Sequence, residues 1–246
     1  MNLKRIIPFY IITTVLFFSG CAARVEGALH RDGSADLALE ASLQPRMEAL
    51  VRGLSALIGD PQARQADQPL LDAAEITKSL SSAPGISSVY LQNLGLASIA
   101  GTIQISRVDQ FLLLPNTQTG VRFITYTPAQ GSVEGRLTIE LNRTTGPQVL
   151  ALFSENVRAY LSALMAPVAT GENLNKSQYL DNVTSIYTKP VADEIAAARI
   201  NMVLTFPGAI TAVRGGTFSG NQAQFEIPLT DFLVLNPPLR YEVSWK

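Results

Sequence analysis

The sequence predicts an α+β protein of two similar units, each running strand, helices, then several antiparallel strands, with the helices on one face of the sheets. Three observations carry this expectation. Segments of strict apolar–polar alternation are gathered apart from segments of helical spacing, which argues against a doubly wound α/β fold. Short landmarks recur in the same order: Val25-Glu26-Gly27 as Val133-Glu134-Gly135, Leu54-Ser55-Ala56-Leu57 as Leu161-Ser162-Ala163-Leu164, Phe111 to Pro115 as Phe232 to Pro237, and Val121-Arg122-Phe123 as Leu239-Arg240-Tyr241. Finally, 47% hydrophobic and only 16% charged residues across 246 positions exclude a disordered, self-repelling chain.

In the first unit, Val25 to His30 and the alternating Leu37, Leu39, Ala41 and Leu43 read as paired strands joined by the turn Arg31-Asp32-Gly33-Ser34. Pro45 opens a helix, where its missing N–H costs nothing. Met47, Leu50, Val51, Leu54, Leu57 and Ile58 share one face of it, and Gly59-Asp60-Pro61 ends it. A second helix is expected over 67–82, broken by Pro84-Gly85. Strands are expected at about 86–94, 98–108 and 121–127.

The second unit opens on a strand in which Val133, Gly135, Leu137, Ile139 and Leu141 alternate with charged or polar residues. Pro147 starts a helix whose apolar face runs from Leu150 to Met165, ended by Pro167. Asn175 with Gln178 has the spacing of a capping box for a helix through Tyr187, and Pro190 starts another through about Arg199. Strand alternation returns at Ile200 to Phe206, at Ala223 to Leu229 and at Leu239 to Trp245. Gly215-Gly216 and Ser219-Gly220-Asn221 supply turns. The expected division is 1–20, 21–130 and 131–246, with the last two able to form one compact domain.

The first twenty residues are an address. Lys4 and Arg5 precede an apolar run from Ile6 to Phe18, too short for a bilayer-spanning helix of about 20 residues. Ser19-Gly20-Cys21 follows directly and resembles the lipobox of bacterial lipoproteins, with Phe18 standing where Leu is usual. The resemblance implies cleavage before Cys21, diacylglycerol on its sulfur and acylation of the new amino terminus. The chain would then hang from a membrane by the acyl chains on Cys21. The alternative is an ordinary signal peptide followed by a stray Cys. Removing 1–20 leaves residues 21–246 and takes the net charge from −1 to −3, because Lys4 and Arg5 leave. Ala22, rather than Asp, after the Cys points to an outer rather than an inner membrane in a double-membraned cell.

Phe206-Pro207-Gly208, Gly215-Gly216, Gly220-Asn221 and Phe225 resemble the end of LppM-type lipoprotein domains, over roughly forty residues. That resemblance implies a lipoprotein module with an apolar, lipid-accommodating cavity. This chain departs by carrying more helix and by ending at Lys246 without a transmembrane segment.

Catalytic and metal chemistry lacks its parts. A single Cys and a single His exclude thiolate clusters and two- or three-histidine metal centres, so no metal and no cofactor is expected. A pI of 5.9 does not provide the basic surface that nucleic acid requires. There is no Gly-x-Ser-x-Gly elbow, no Ser-x-x-Lys and no phosphate-binding glycine loop. His30 flanks a turn. Asp193 and Glu194 suit a helix start, and Glu134 and Glu140 suit the wet side of a strand. No enzyme is expected.

The remaining feature is the pair of apolar runs containing Phe111 and Leu112, and Phe232 and Leu233. They read either as buried strand ends or as the lining of an apolar crevice or membrane contact. The functional expectation is a lipid-anchored envelope lipoprotein acting as a non-catalytic binding or assembly module for a lipid or other apolar ligand. The alternative is a structural lipoprotein that binds an envelope protein and no small molecule.

Overall fold

A computed structural model describes residues 21–58, 67–111, 123–131, 133–150 and 155–246. The signal segment, the helix stop at 59–61, Leu112 and the Val121-Arg122 landmark lie outside the described residues.

The chain opens with β1 (Cys21–Leu29) and β2 (Ala35–Ser42), an antiparallel hairpin. Its turn closes as expected: Asp32 accepts hydrogen bonds from the Ser34 amide and hydroxyl at 3.0 and 2.7 Å, and Gly33 takes the left-handed φ of 83°. α1 (Pro45–Ile58) begins on its proline. α2 (Ala73–Ser81) starts six residues later than its expected first residue, Asp67. Asp72 caps it, accepting from the Ala74 and Glu75 amides at 2.8 and 3.2 Å. β3 (Ile86–Gly95) and β4 (Ser98–Ile105) form the next hairpin, followed by the short α3 (Val108–Phe111) and β5 (Ile124–Thr127).

Next come β6 (Gly135–Leu141), α4 (Gly146–Leu150), α5 (Glu155–Ala163) and α6 (Pro167–Thr170). In α7 (Lys176–Ile186) the capping box is complete: Asn175 and Gln178 exchange side-chain and backbone hydrogen bonds, both at 3.0 Å. α8 (Lys189–Ala197), β7 (Arg199–Thr205), β8 (Ile210–Arg214), β9 (Thr217–Ser219) and β10 (Gln222–Pro228) follow. α9 (Leu229–Val234) and β11 (Leu239–Trp245) close the fold.

The strands form two sheets, and each takes strands from both sides of residue 130. The seven-stranded sheet has the order β3-β4-β2-β1-β7-β10-β9, and the four-stranded sheet the order β5-β6-β11-β8. The α+β class is as expected, but the strands are shared between two unequal sheets rather than kept within two similar units, and one pair is not antiparallel. β1 and β7, the strands that join the two halves of the large sheet, run parallel. They are separated by everything from β2 to α8, long enough for the crossover a parallel pair needs.

Alternation decides which faces meet. Leu29, Ala35, Ile103, Ile105, Leu204, Ala223 and Phe225 point inward from the large sheet to a common core with Leu137, Leu239, Tyr241, Val243 and Trp245 of the small one. Tyr179, Val183, Val191 and Ile195 of α7 and α8 complete it. The repeated Val-Glu-Gly landmarks both put their glycine against a large neighbour. A Cβ on Gly27 would lie 2.7 Å from Leu37 Cδ2 and 2.8 Å from Leu204 Cδ2, flexible side-chain ends that can yield. On Gly135 it would lie 2.2 Å from Cε2 of the rigid, fully buried Trp245 indole. Gly135→Ala is therefore expected to cost about 1–3 kcal/mol by overpacking, and Gly27→Ala distinctly less, in urea unfolding followed by circular dichroism.

Candidate functional site

The outer face of the large sheet carries a groove of about 700 Å³, lined entirely by strand residues of β1, β2, β4, β7 and β10. The register fixes its floor as rows across the sheet. One row runs Tyr90, Thr102, Ala38, Glu26, Val203, Gln224 and Thr217. The next runs Ser88, Gln104, Asp36, Ala28, Thr205, Gln222 and Ser219. Small side chains at Ala28 and Ala38 leave the middle low, and the amides and hydroxyls of Gln104, Gln222, Gln224, Thr102 and Thr205 stand around them. The floor therefore sets hydrogen-bonding groups beside the apolar Ala28, Ala38 and Val203.

The charges at the groove are paired and wet. Arg24 bonds Glu26, two residues along the same strand face. His30 Nε2 lies 2.9 Å from Asp36 Oδ2, with both side chains about half exposed, so the only histidine pairs with a carboxylate at the rim of the groove. Among the described residues no group of three His, Cys, Asp or Glu side chains is arranged to hold a metal ion. Shifted titrations belong to turns and to the core. Hydrogen bonds from the Ser34 hydroxyl and amide hold Asp32 below the ordinary carboxylate range, and the hydrogen bond and charge of Arg107 do the same for Asp109. Burial pushes the Tyr179 phenol up, and its hydroxyl has no partner among the described residues.

The sequence-derived candidates fall elsewhere. Cys21 is the first residue of β1, in register with Arg199 of β7. Phe111 ends α3, and Leu112 lies outside the described residues. Leu233 is 2% exposed inside the main core, and Phe232 packs against that core from α9. Phe111 and the run from Phe232 to Val234 thus sit on short helices, not on strand ends. A four-residue apolar run has no period to distinguish the two, and α9 is bounded by Pro228 and by Leu235 in the left-handed region. Nor do the helices leave the sheet together. β4 and β10 run in opposite directions, so α3 departs beside the Arg31–Ser34 turn and α9 departs beside Cys21. The groove face, by contrast, escaped sequence reasoning because its alternation reads only as a solvated strand face.

No protein-family model matches the chain, and no curated protein matches it. A solved structure does. The folded domain of LppM from Mycobacterium tuberculosis, determined by NMR, aligns over 94% of both chains at 12% identity, with a TM-score of 0.38. No described helix is long and apolar enough to cross a membrane.

Proposed function

We propose that the protein is a lipid-anchored lipoprotein of a bacterial cell envelope that acts as a non-catalytic binding module through the outer face of its large sheet. One observation carries the reading: Cys21, the lipobox cysteine, opens β1, and β1 also lines the groove. After cleavage before Cys21 no linker separates the acyl chains from the binding surface, so the groove is held at the membrane. Two or more acyl chains anchor stably where one does not. The absence of Asp after the Cys supports the outer membrane in a double-membraned cell. The groove's amides and hydroxyls favour the polar part of an envelope component, a glycan or a lipid headgroup, over a purely apolar ligand. The carboxylates and the histidine at the groove are exposed and paired, which favours binding over catalysis.

Ala38→Trp tests this, because an indole at the centre of the floor fills the groove without touching the core. Native mass spectrometry of the detergent-extracted protein is expected to find a bound envelope component on the wild type and none on the variant. The thermal midpoint should stay within about 2 °C. Equal occupancy in both proteins would mean that the groove is not the binding site. A role in protein contact is the second reading, favoured by exposed Tyr90 and Phe218 on the two edge strands, β3 and β9. Tyr90→Lys or Phe218→Lys would then release a co-purifying protein while Ala38→Trp would not.

A further inference from the structure

The large sheet has two ends, and charged residues stand at both, Arg199 and Glu226 beside Cys21 among them. One carries the β1–β2 turn and the start of α3, where His30, Arg31, Asp32, Arg107 and Asp109 are all exposed and charged or ionisable. The other carries Cys21, and the register places the β3–β4 turn at the same end. Ala23 faces Ala41, Ala41 faces Ile99, and Ile99 faces Asn93. Three strand spacings therefore separate Cys21 from this turn, about 14 Å.

That turn presents two leucines to solvent. Leu94 is 56% and Leu96 42% exposed, among the few large hydrophobic side chains so exposed in the described residues. Neither position is accidental in the backbone. Leu94 is the extra residue of a bulge, between Asn93 and Gly95 in the pairing with β4, and a bulge re-aims a side chain out of the ladder. The turn is also held firmly: the Leu96 carbonyl accepts from the Leu70 amide at 2.7 Å, and the Ala97 carbonyl from the Leu43 amide at 2.9 Å.

We infer that the Leu94–Leu96 turn is a second membrane contact, inserting its two leucines into the lipid interface beside the acylated Cys21. The occupant of this apolar turn is the bilayer. The acyl anchor begins on β1 of the same sheet with no intervening linker, so that end of the sheet is brought to lipid, while the β1–β2 turn and the start of α3 point away. One tether alone lets the body swing; a second contact across the width of four strands fixes its orientation and with it the direction in which the groove opens. The inference rests on the lipid anchor at Cys21.

The test uses the full chain, acylated in the cell, extracted and reconstituted into vesicles of phosphatidylethanolamine and phosphatidylglycerol carrying brominated acyl chains. Leu96→Trp is compared with Arg31→Trp at the far end of β1, about 30 Å away. The native Trp245 is fully buried and gives the same background in both. The expected result is a blue-shifted emission for Leu96→Trp and quenching at least twofold greater than for Arg31→Trp. Equal quenching on protein whose mass carries the acyl chains overturns the second contact and leaves the anchor standing. A mass without acyl chains overturns the anchor reading and the second contact with it.

Discussion

Trp245→Ala is expected to destabilise the fold by about 3–5 kcal/mol, the range for truncating a fully buried large aromatic. Trp245 is the chain's only tryptophan and is 0% exposed. It lies on β11 opposite Gly135 of β6 and Ile210 of β8, so it bridges three of the four strands in the small sheet. Its ring packs on Phe206 at a centroid distance of 4.8 Å and stacks on Tyr126 of the fourth strand, β5, at 6.1 Å. Removing it leaves Phe206, Tyr126 and the Gly135 backbone around a cavity. Against a typical total stability of about 5–15 kcal/mol, the variant is near its folding limit. Trp245→Phe is expected to cost much less. It keeps most of the ring and also deletes an indole N–H that has no hydrogen-bond partner among the described residues. Urea unfolding followed by far-ultraviolet circular dichroism measures both, since fluorescence loses its reporter in these variants.

Cys21→Ser carries the largest expected effect on where the protein resides. A hydroxyl cannot form the thioether that the lipobox resemblance implies, so incorporation of labelled fatty acid should fall to background and residues 1–20 should stay attached. Joined instead to an ordinary cleavable signal, the Cys21→Ser body should leave the membrane pellet for the soluble fraction. Each buried acyl CH₂ contributes about 0.8 kcal/mol, and those chains are lost together. No described helix can replace them as a span. Fractionation against the wild type reads the outcome directly.

Those two residues also mark what the sequence could and could not disclose. Local patterns with their own physics were legible. The alternation of Leu239, Tyr241, Val243 and Trp245 matches four buried positions on β11, and the Asn175–Gln178 spacing closes as a capping box. The cap at Asp72, with Glu75 three residues on, carries the same kind of signal, and the helix starts there rather than at the expected Asp67. Strand end is one of the two readings open to the apolar runs because four residues cannot show a period, yet Phe111 and Phe232 lie on short helices. What joins the parts was not legible. Pairing of β1 with β7 links Val25 to Met202, and no local rule sets a register across such a separation. The groove depends on that pairing: Glu26 of β1 and Val203 of β7 become neighbours only once the long-range join is made.

In the proposed anchoring, Cys21 ties this sheet to a membrane with no linker between. Intact-mass spectrometry of the membrane-extracted wild-type protein tests it most directly. The expected result is a chain beginning at Cys21, with the combined mass of residues 21–246, a diacylglycerol on sulfur and an amide-linked acyl group. A chain that begins elsewhere, or one with a free Cys21 thiol, would contradict it.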